Sequence, residues 1–417
     1  MKYPAEIIPS LRERWAEVGT LTQSARPLPR DDVLRRLLDV AYQSSFQVDE
    51  QRNTSVTIIF GDRTEFRTCA AFDTVLFPES RAFTAGEVSR LAPATDARQT
   101  MLCVGEAGDE CEDDAALRIW GLLDVGTTWI EFAIGERSDT VAPPDLLTVT
   151  VHQPGAFTLS RSGTILLRFR DGKETVPTGS ALEVGPIARR FESAAGFASG
   201  RLVAALAAQG VHARPEEFPP SVYTRFIRRV LFRIRSKRHG GTVIVVPEST
   251  KTDASHLTER LKIKYPLLHA GAWDDILRFV TSARLYSESR ARDSDASRIS
   301  AERKLAEHAA FIAGLAGVDG AVVLTDRYRI LGFGAEVIVS SPELRGIQIA
   351  RDPEGRTMSP VSIETYGTRH RSAIRFCHSF EPAVAFVVSQ DGEVRAIARV
   401  GDDVLMWPEI NAGGMGL

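Results

Sequence analysis

Three prolines within nine residues, at 213–221 (Ala-Arg-Pro-Glu-Glu-Phe-Pro-Pro-Ser), interrupt the chain near its middle. Proline fixes φ and lacks an amide hydrogen, so it stops helices and is excluded from central strands. No single helix or strand runs through such a segment, and it reads as a domain boundary or hinge. The 417 residues suffice for two or three domains, at ~100–200 residues per domain. The break therefore predicts one domain over 1–212 and a second over 222–417.

The two sides have different patterns. Over 31–42, Val33, Leu34, Leu37, Leu38 and Ala41 recur at helical spacing behind two aspartates, an amphipathic helix. Short β-branched or aromatic runs follow at 55–60, 74–77, 118–125, 128–134 and 146–151, separated by Gly, Asp and Pro. The theme continues through 156–176, with Ser162-Gly163 and Asp171-Gly172 as hairpin turns. Trp120 and Trp129 read as core residues of this β-rich part. The acidic stretch 105–114 lacks EF-hand spacing and reads as a solvated loop. A helix is predicted over 187–209, with Gly210 as its stop.

Beyond the break, Phe226, Ile227, Val230, Leu231 and Ile234 stripe a helix over 222–237. Its arginines at 225, 228, 229, 233 and 235, with Lys237 and Arg238, form either its solvated face or an anion site. Residues 240–249, Gly-Gly-Thr-Val-Ile-Val-Val-Pro-Glu-Ser, are a buried-strand signature. Residues 269–316 read as helical, with an exposed polar stretch at 287–304, and strands and helices alternate after Asp319. The expected fold is thus a β-rich N-terminal domain followed by an α/β domain, a mixed central sheet flanked by helices.

Hydrophobic residues at 43% and charged residues at 25% are ordinary for a globular chain and exclude a fully disordered one. Fifty-one basic against fifty-four acidic residues give a net charge of −3, which argues against a dedicated nucleic-acid or membrane-surface binder. Cys69, Cys103, Cys111 and Cys377 form no Cys-x-x-Cys, so neither a zinc ribbon nor a redox pair is supported. The first fifteen residues lack the apolar core of a signal peptide, and no apolar run approaches the ~20 residues of a membrane span. The expectation is a reduced, cytoplasmic protein with neither nucleic acid nor membrane as a partner.

Three segments of the last hundred residues carry chemistry. Asp319-Gly320-Ala321 follows an apolar helix and opens a β run, so the carboxylate sits at a helix-to-strand turn, and the small residues let a ligand approach the backbone. Gly367-Thr368-Arg369-His370-Arg371 packs a hydroxyl, two guanidiniums and an imidazole together. Arginine binds phosphate oxygens bidentately, threonine donates one hydrogen bond, and histidine donates or titrates. Ser389-Gln390-Asp391 closes a third β run. A carboxylate for a divalent metal beside a phosphate-binding cluster points to phosphoryl or nucleotidyl chemistry. Alone, the Arg-His-Arg triplet also fits a salt-bridged loop, and Asp-Gly a simple turn. His239 is either a phosphate contact or a helix C-terminal histidine. Cys377 and His378 are adjacent, which does not build a nucleophile and its base.

In this order and spacing, the three segments resemble the diadenylate cyclase (DAC) domain family, which carries Asp-Gly-Ala, Gly-Thr-Arg-His-Arg and a strand ending in Ser-Glu. The strand at 240–249 resembles the family's opening strand, 311–324 resembles its helix leading into Asp-Gly-Ala, and the resemblance covers roughly 225–410. It implies condensation of two ATP molecules into cyclic di-AMP and two pyrophosphates, with one ATP per domain and two domains face to face in a homodimer or higher oligomer. It implies catalytic roles for Asp319, Arg369 and His370. On the resemblance Asp319 would hold a divalent metal, Mn²⁺ or Mg²⁺, with Asp391 as a further candidate ligand. On the same resemblance Gly367, Thr368, Arg369, His370 and Arg371 would bind phosphates, Gly320 and Ala321 would admit the nucleotide, and Ser389 would lie at the phosphate edge.

The third motif departs from the family, because Gln390 keeps a carbonyl oxygen but no charge. Asp391 either supplies that charge or begins a turn with Gly392. Gly332 and Gly334, where the family's sequence differs, either shape the adenine pocket or mark a bulge. The alternatives are a catalytically inactive nucleotide-sensing module and a cyclase with another product. In the N-terminal part, Trp-Gly-Leu-Leu-Asp-Val-Gly (120–126) and residues 152–163, with His-Gly-Gly-Thr (239–242) at the junction, resemble the probable sensor domains called DACNV. That resemblance implies a regulatory input and names no ligand.

Overall fold

The computed structural model describes residues 2–22, 24–49, 52–68, 73–95, 99–107, 116–126, 144–175, 181–218, 221–248, 257–268, 271–289, 292–339, 344–390, 392–408 and 410. The expected strand at 128–134, Trp129, Cys69, Cys111, most of the acidic stretch and Asp391 lie outside the described residues. The chain forms two compact units, Met1 to Pro177 and Thr178 to Ala412.

The division falls ahead of the proline segment. Helix Glu192–Ala207 belongs to the second unit, where Ala198, Leu202 and Leu206 share a buried cluster with Ile227 and Val230 of helix Ser221–Ser236. The prolines separate two helices of one unit. Proline acts locally by stopping a helix, whereas a unit's border is set by which apolar faces pack together. The helix expected over 187–209 is interrupted, running Gly185–Arg189 and then Glu192–Ala207, and Gly210 follows it at φ +75°.

In the first unit a short ribbon, β1 (Val48–Asp49) and β2 (Arg52–Asn53), precedes a mixed sheet. That sheet contains β3 (Val56–Phe60), β4 (Asp73–Ala82), β5 (Thr100–Glu106), β6 (Leu117–Asp124), β7 (Leu147–Gln153), β8 (Ala156–Arg161), β9 (Thr164–Arg170) and β10 (Lys173–Thr175). Its order is β10-β9-β8-β7-β3-β5-β6-β4. Among the described pairs β3 and β5 run parallel and the others antiparallel. Both expected hairpin turns form, with φ of 48° and 78° at Ser162-Gly163 and 51° and 71° at Asp171-Gly172, the positive pair that matches strand twist. Side chains alternate across the sheet. Ile58, Leu102 and Val104 pack with Leu34, Leu37 and Leu38 of helix Asp31–Ser44, while Ile59, Met101, Cys103 and Trp120 pack on the opposite face.

Arg161 in β8 is only 1% exposed. Its Nε and Nη2 reach the Asp145 carboxylate at 2.6 and 2.7 Å, its Nη1 donates to the Trp15 carbonyl at 2.6 Å, and its guanidinium stacks 4.2 Å from the centre of the Trp15 ring. The hydrogen bonds from Arg161 hold the Asp145 carboxyl well below its ordinary range.

The second unit is built on another mixed sheet, β11 (Gly241–Val246), β12 (Leu261–Pro266), β13 (Ala321–Thr325), β14 (Ile330–Val337), β15 (Gly346–Ala350), β16 (Met358–Ser362), β17 (Val384–Val388), β18 (Val394–Val400) and β19 (Asp403–Trp407). Its order is β12-β14-β13-β11-β17-β18-β19-β15-β16, with β11/β13 and β15/β19 parallel. Val243, Val245, Val322 and Leu324 face helices Ser221–Ser236 and Arg292–Leu315. Ile244, Val323, Ala385 and Val387 face Ile374, Phe376 and Cys377 of helix Thr368–Ser379. Cover on both faces explains why β11, β13 and β17 read as unbroken apolar runs.

The two mixed sheets with their helices make this an α+β protein. The stretch at 287–304 is less exposed than its polarity suggests. Arg298 and Glu302 are 4% and 6% exposed, and Arg298 pairs with Asp295 at 2.6 Å and Glu302 at 3.3 Å. Among the described residues no helix is long and apolar enough to cross a membrane.

Candidate functional site

Strand register decides what meets in the second unit. Thr242 of β11 is level with Ala321 of parallel β13, and Gly241 is level with Val388 of antiparallel β17. His239-Gly240 before β11, Asp319-Gly320 before β13 and Ser389-Gln390 after β17 therefore emerge on the same edge of the sheet. Val388 is also level with Val394, which brings the start of β18 and Arg395 to that edge. The backbones of β13 and β17 flank β11 and are separated by two inter-strand spacings, ~10 Å.

Helix Thr368–Ser379 joins this edge through Arg369, whose Nη1 donates to the His239 carbonyl at 3.3 Å. Gly240 makes the approach possible. It has φ +68°, and a Cβ there would lie 2.6 Å from the Val388 carbonyl oxygen and 3.0 Å from Arg369 Nη1. Gly367 caps the helix, and a Cβ on it would meet nothing within 4 Å, so the helix start is open. Thr368 and Arg369 are exposed there. Free amide hydrogens, the helix dipole and a guanidinium together favour an anion.

The other motif residues have separate surroundings. Asp319 is exposed. Nearby Lys264 is held above its ordinary range, chiefly by its hydrogen bond to Glu336 at 2.6 Å, with the Asp319 charge as a lesser cause. Gly320 is itself exposed, and the side of it that a Cβ would occupy is filled by protein. Gly320 has φ +107°, and a Cβ would fall 2.6–2.9 Å from the backbone of Gly334 and Ala335. Ala321 is 5% exposed and packs in the core. Arg371 Nη1 is held by Glu364 at 3.1 Å. The Ser389 hydroxyl donates to the Glu393 carbonyl at 3.2 Å, and the Gly392 amide donates to the Ser389 carbonyl at 3.1 Å, closing a turn.

His370 is 8% exposed, and its Nε2 lies 2.9 Å from Arg395 Nη1. Arg395 also bonds the Glu393 carboxylate and lies 5.8 Å from the centre of the Tyr366 ring, whose own distance to the His370 ring is 5.6 Å. Burial raises the Tyr366 phenol pKa.

Sequence reasoning missed Arg395, Glu393 and Tyr366, because only register brings β18 against His370. It also missed Tyr265 and Phe333, stacked at 4.8 Å. A Cβ on Gly334 would lie 3.0 Å from the Tyr265 ring and 3.6 Å from the Asp319 carbonyl oxygen, so this aromatic pair borders the Asp-Gly-Ala turn. Of the basic run, Arg229 is buried at 3% and Arg228 pairs with Glu183 at 2.7 Å, so it is not one solvated face. Cys377 is fully buried, its Sγ donates to the Ile397 carbonyl, and burial pushes its thiol up to about 12.

No group of three or more His, Cys, Asp or Glu that could hold a metal occurs among the described residues. The single exposed carboxylate of Asp319 fits an ion that takes its remaining oxygens from substrate phosphates and water, as Mg²⁺ does.

No curated protein matches the chain. Among solved structures, the crystal structure of a hypothetical membrane spanning protein from Bacillus cereus is similar at 17% identity with a TM-score of 0.25. The similarity covers 44% of this chain and 61% of that one, so this chain spans less than two thirds of that protein. The segments at 152–163 and 239–242 lie outside the one stretch that matches a family model. That stretch, residues 23–124 of the first unit, matches the model described as the probable sensor domain DACNV.

Proposed function

We propose that the second unit condenses two ATP molecules into cyclic di-AMP and two pyrophosphates, under the control of the sensor domain. The observation that carries this reading is the meeting of the Asp319, Gly367–Arg371 and Ser389 segments at one sheet edge, tied by Arg369 to the His239 carbonyl. The second unit of each chain binds one ATP, and two chains face each other as a homodimer, because each 3′-hydroxyl must reach the other nucleotide's α-phosphorus. The hydroxyl oxygen bonds to that phosphorus, the bond to the pyrophosphate oxygen breaks, and the hydroxyl proton passes to solvent.

The open helix start, Thr368 and the Arg369 fork take the phosphate charge. Glu364 orients Arg371. Tyr265 and Phe333 offer a flat face for adenine beside Asp319. Gly320 acts through the turn that aims Asp319. Asp319 would hold Mg²⁺ or Mn²⁺, which supplies Lewis-acid charge to the reacting oxygens when bound. Positioning and charge stabilisation carry most of the rate in such chemistry.

A second reading, a nucleotide-binding module without turnover, is favoured by Gln390, which lacks charge, and by Glu393, whose carboxylate is already engaged by Arg395. Incubation of the full chain with ATP and Mg²⁺ or Mn²⁺, followed by mass spectrometry, separates the two. Cyclic di-AMP supports the cyclase. Saturable ATP binding without product supports the module.

A further inference from the structure

We infer that Lys237, Arg238 and His239 form the subsite for the two terminal phosphates of the bound nucleotide, the group that leaves as pyrophosphate. This rests on the cyclase reading and adds to it residues outside the three motif segments. The three residues are exposed and link helix Ser221–Ser236 to Gly240 and β11. The link lies between the segments that meet at this sheet edge. A Cβ on Gly314 would lie 3.7 Å from Lys237 Nζ, and one on Gly317 would lie 3.1 Å from His239 Nε2, so both side chains pass the end of the helix that leads into Asp319. The His239 carbonyl accepts from Arg369 at 3.3 Å. On the other side, a Cβ on Gly392 would lie 3.3 Å from Arg235 Nε, which sets the helix end against the turn that follows Ser389.

The charge at this link suits a polyphosphate. Among the described residues neither the Lys237 nor the Arg238 side chain makes an ion pair or hydrogen bond. Of the described carboxylates nearby, Glu393 is held by Arg395, Glu364 by Arg371 and Glu336 by Lys264, whereas exposed Asp319 serves the metal ion. A lysine, an arginine and the Arg369 fork together match phosphate oxygens. Helix capping does not account for them. The Ile234 and Arg235 carbonyls accept from the Lys237 and Arg238 amides at 3.1 Å, and the Gly314 and Leu315 carbonyls accept from the Gly317 and Val318 amides at 3.1 Å. Arg238 has φ +56°, the left-handed conformation in which a helix end usually carries glycine. A side chain is strained there where glycine is not, and strain of this kind is kept where the side chain has a task.

Calorimetry on the full chain in Mg²⁺ tests this, with the non-cyclisable adenosine 5′-(α,β-methylene)triphosphate and with AMP, which lacks the terminal phosphates. Wild type should bind the triphosphate analogue more tightly than AMP. Lys237→Ala and Arg238→Gly should each weaken the analogue by on the order of tenfold and leave AMP unchanged. Arg238→Gly should do so with a thermal midpoint no lower than wild type, since glycine relieves the positive φ. Analogue affinity unchanged in either folded variant, or AMP weakened by the same factor, would overturn the inference. AMP bound by wild type as tightly as the analogue would also overturn it and leave the cyclase reading in place. Failure of wild type to bind either ligand would overturn the cyclase reading and the subsite with it.

Discussion

Arg395 Nη1 stands 2.9 Å from His370 Nε2. Arginine only donates hydrogen bonds, so Nε2 accepts and the imidazole proton sits on Nδ1. Arg395 thereby fixes the tautomer and ring plane of His370, a positioning role under the cyclase reading. Arg395→Leu should lower product formation about tenfold, the worth of one charge-assisted hydrogen bond. Arg395→Gln, which keeps a donor, should recover part of the loss. Equal loss in both variants would contradict the role.

Asp319 and Gly320 should separate chemistry from folding. Asp319 is exposed, so Asp319→Asn should abolish product formation while leaving the thermal midpoint unchanged. Gly320→Ala would force a side chain against the Gly334 backbone at a positive φ. It should destabilise by about 1–3 kcal/mol in urea denaturation and reduce activity through the displaced carboxylate.

The Arg161–Asp145 pair should dominate the acid response of the first unit. Asp145→Ala leaves a guanidinium 1% exposed without its carboxylate, and should cost about 3–5 kcal/mol. The folded pKa of Asp145 lies below its unfolded value. The pair's contribution is thus fully present above the unfolded value of ~3.9 and lost as pH falls through the folded value. Melting curves at neutral pH and below pH ~4 should show wild type losing stability on acidification more steeply than Asp145→Asn.

Cys377 should be inert in the native protein. Its thiol is buried and held near 12, so little thiolate exists at neutral pH. Peptide mapping after iodoacetamide treatment should find Cys377 unmodified in buffer and alkylated in urea.

Local signals in the sequence carried much of the fold. Ser162-Gly163 and Asp171-Gly172 turn where small or polar residues permit positive φ, and Phe226, Ile227 and Val230 bury the stripe they form. The three candidate segments stood out because each keeps its polar groups within a few adjacent residues. What stayed hidden depends on packing between distant segments. The prolines at 215, 219 and 220 read as a border between domains, and nothing local shows that the helix before them packs with the one after. Arg395 reads as one polar residue in an apolar strand until register sets it against His370. Nothing local to Gly320 shows that a side chain there would meet the backbone of Gly334 and Ala335.

The nucleotide product formed from ATP tests the central claim most directly. The 417-residue chain incubated with ATP and Mg²⁺ or Mn²⁺ should yield cyclic di-AMP, with two pyrophosphates released per molecule, and Asp319→Asn should yield none. Folded, dimeric wild-type protein that forms no cyclic di-AMP with either metal would contradict it.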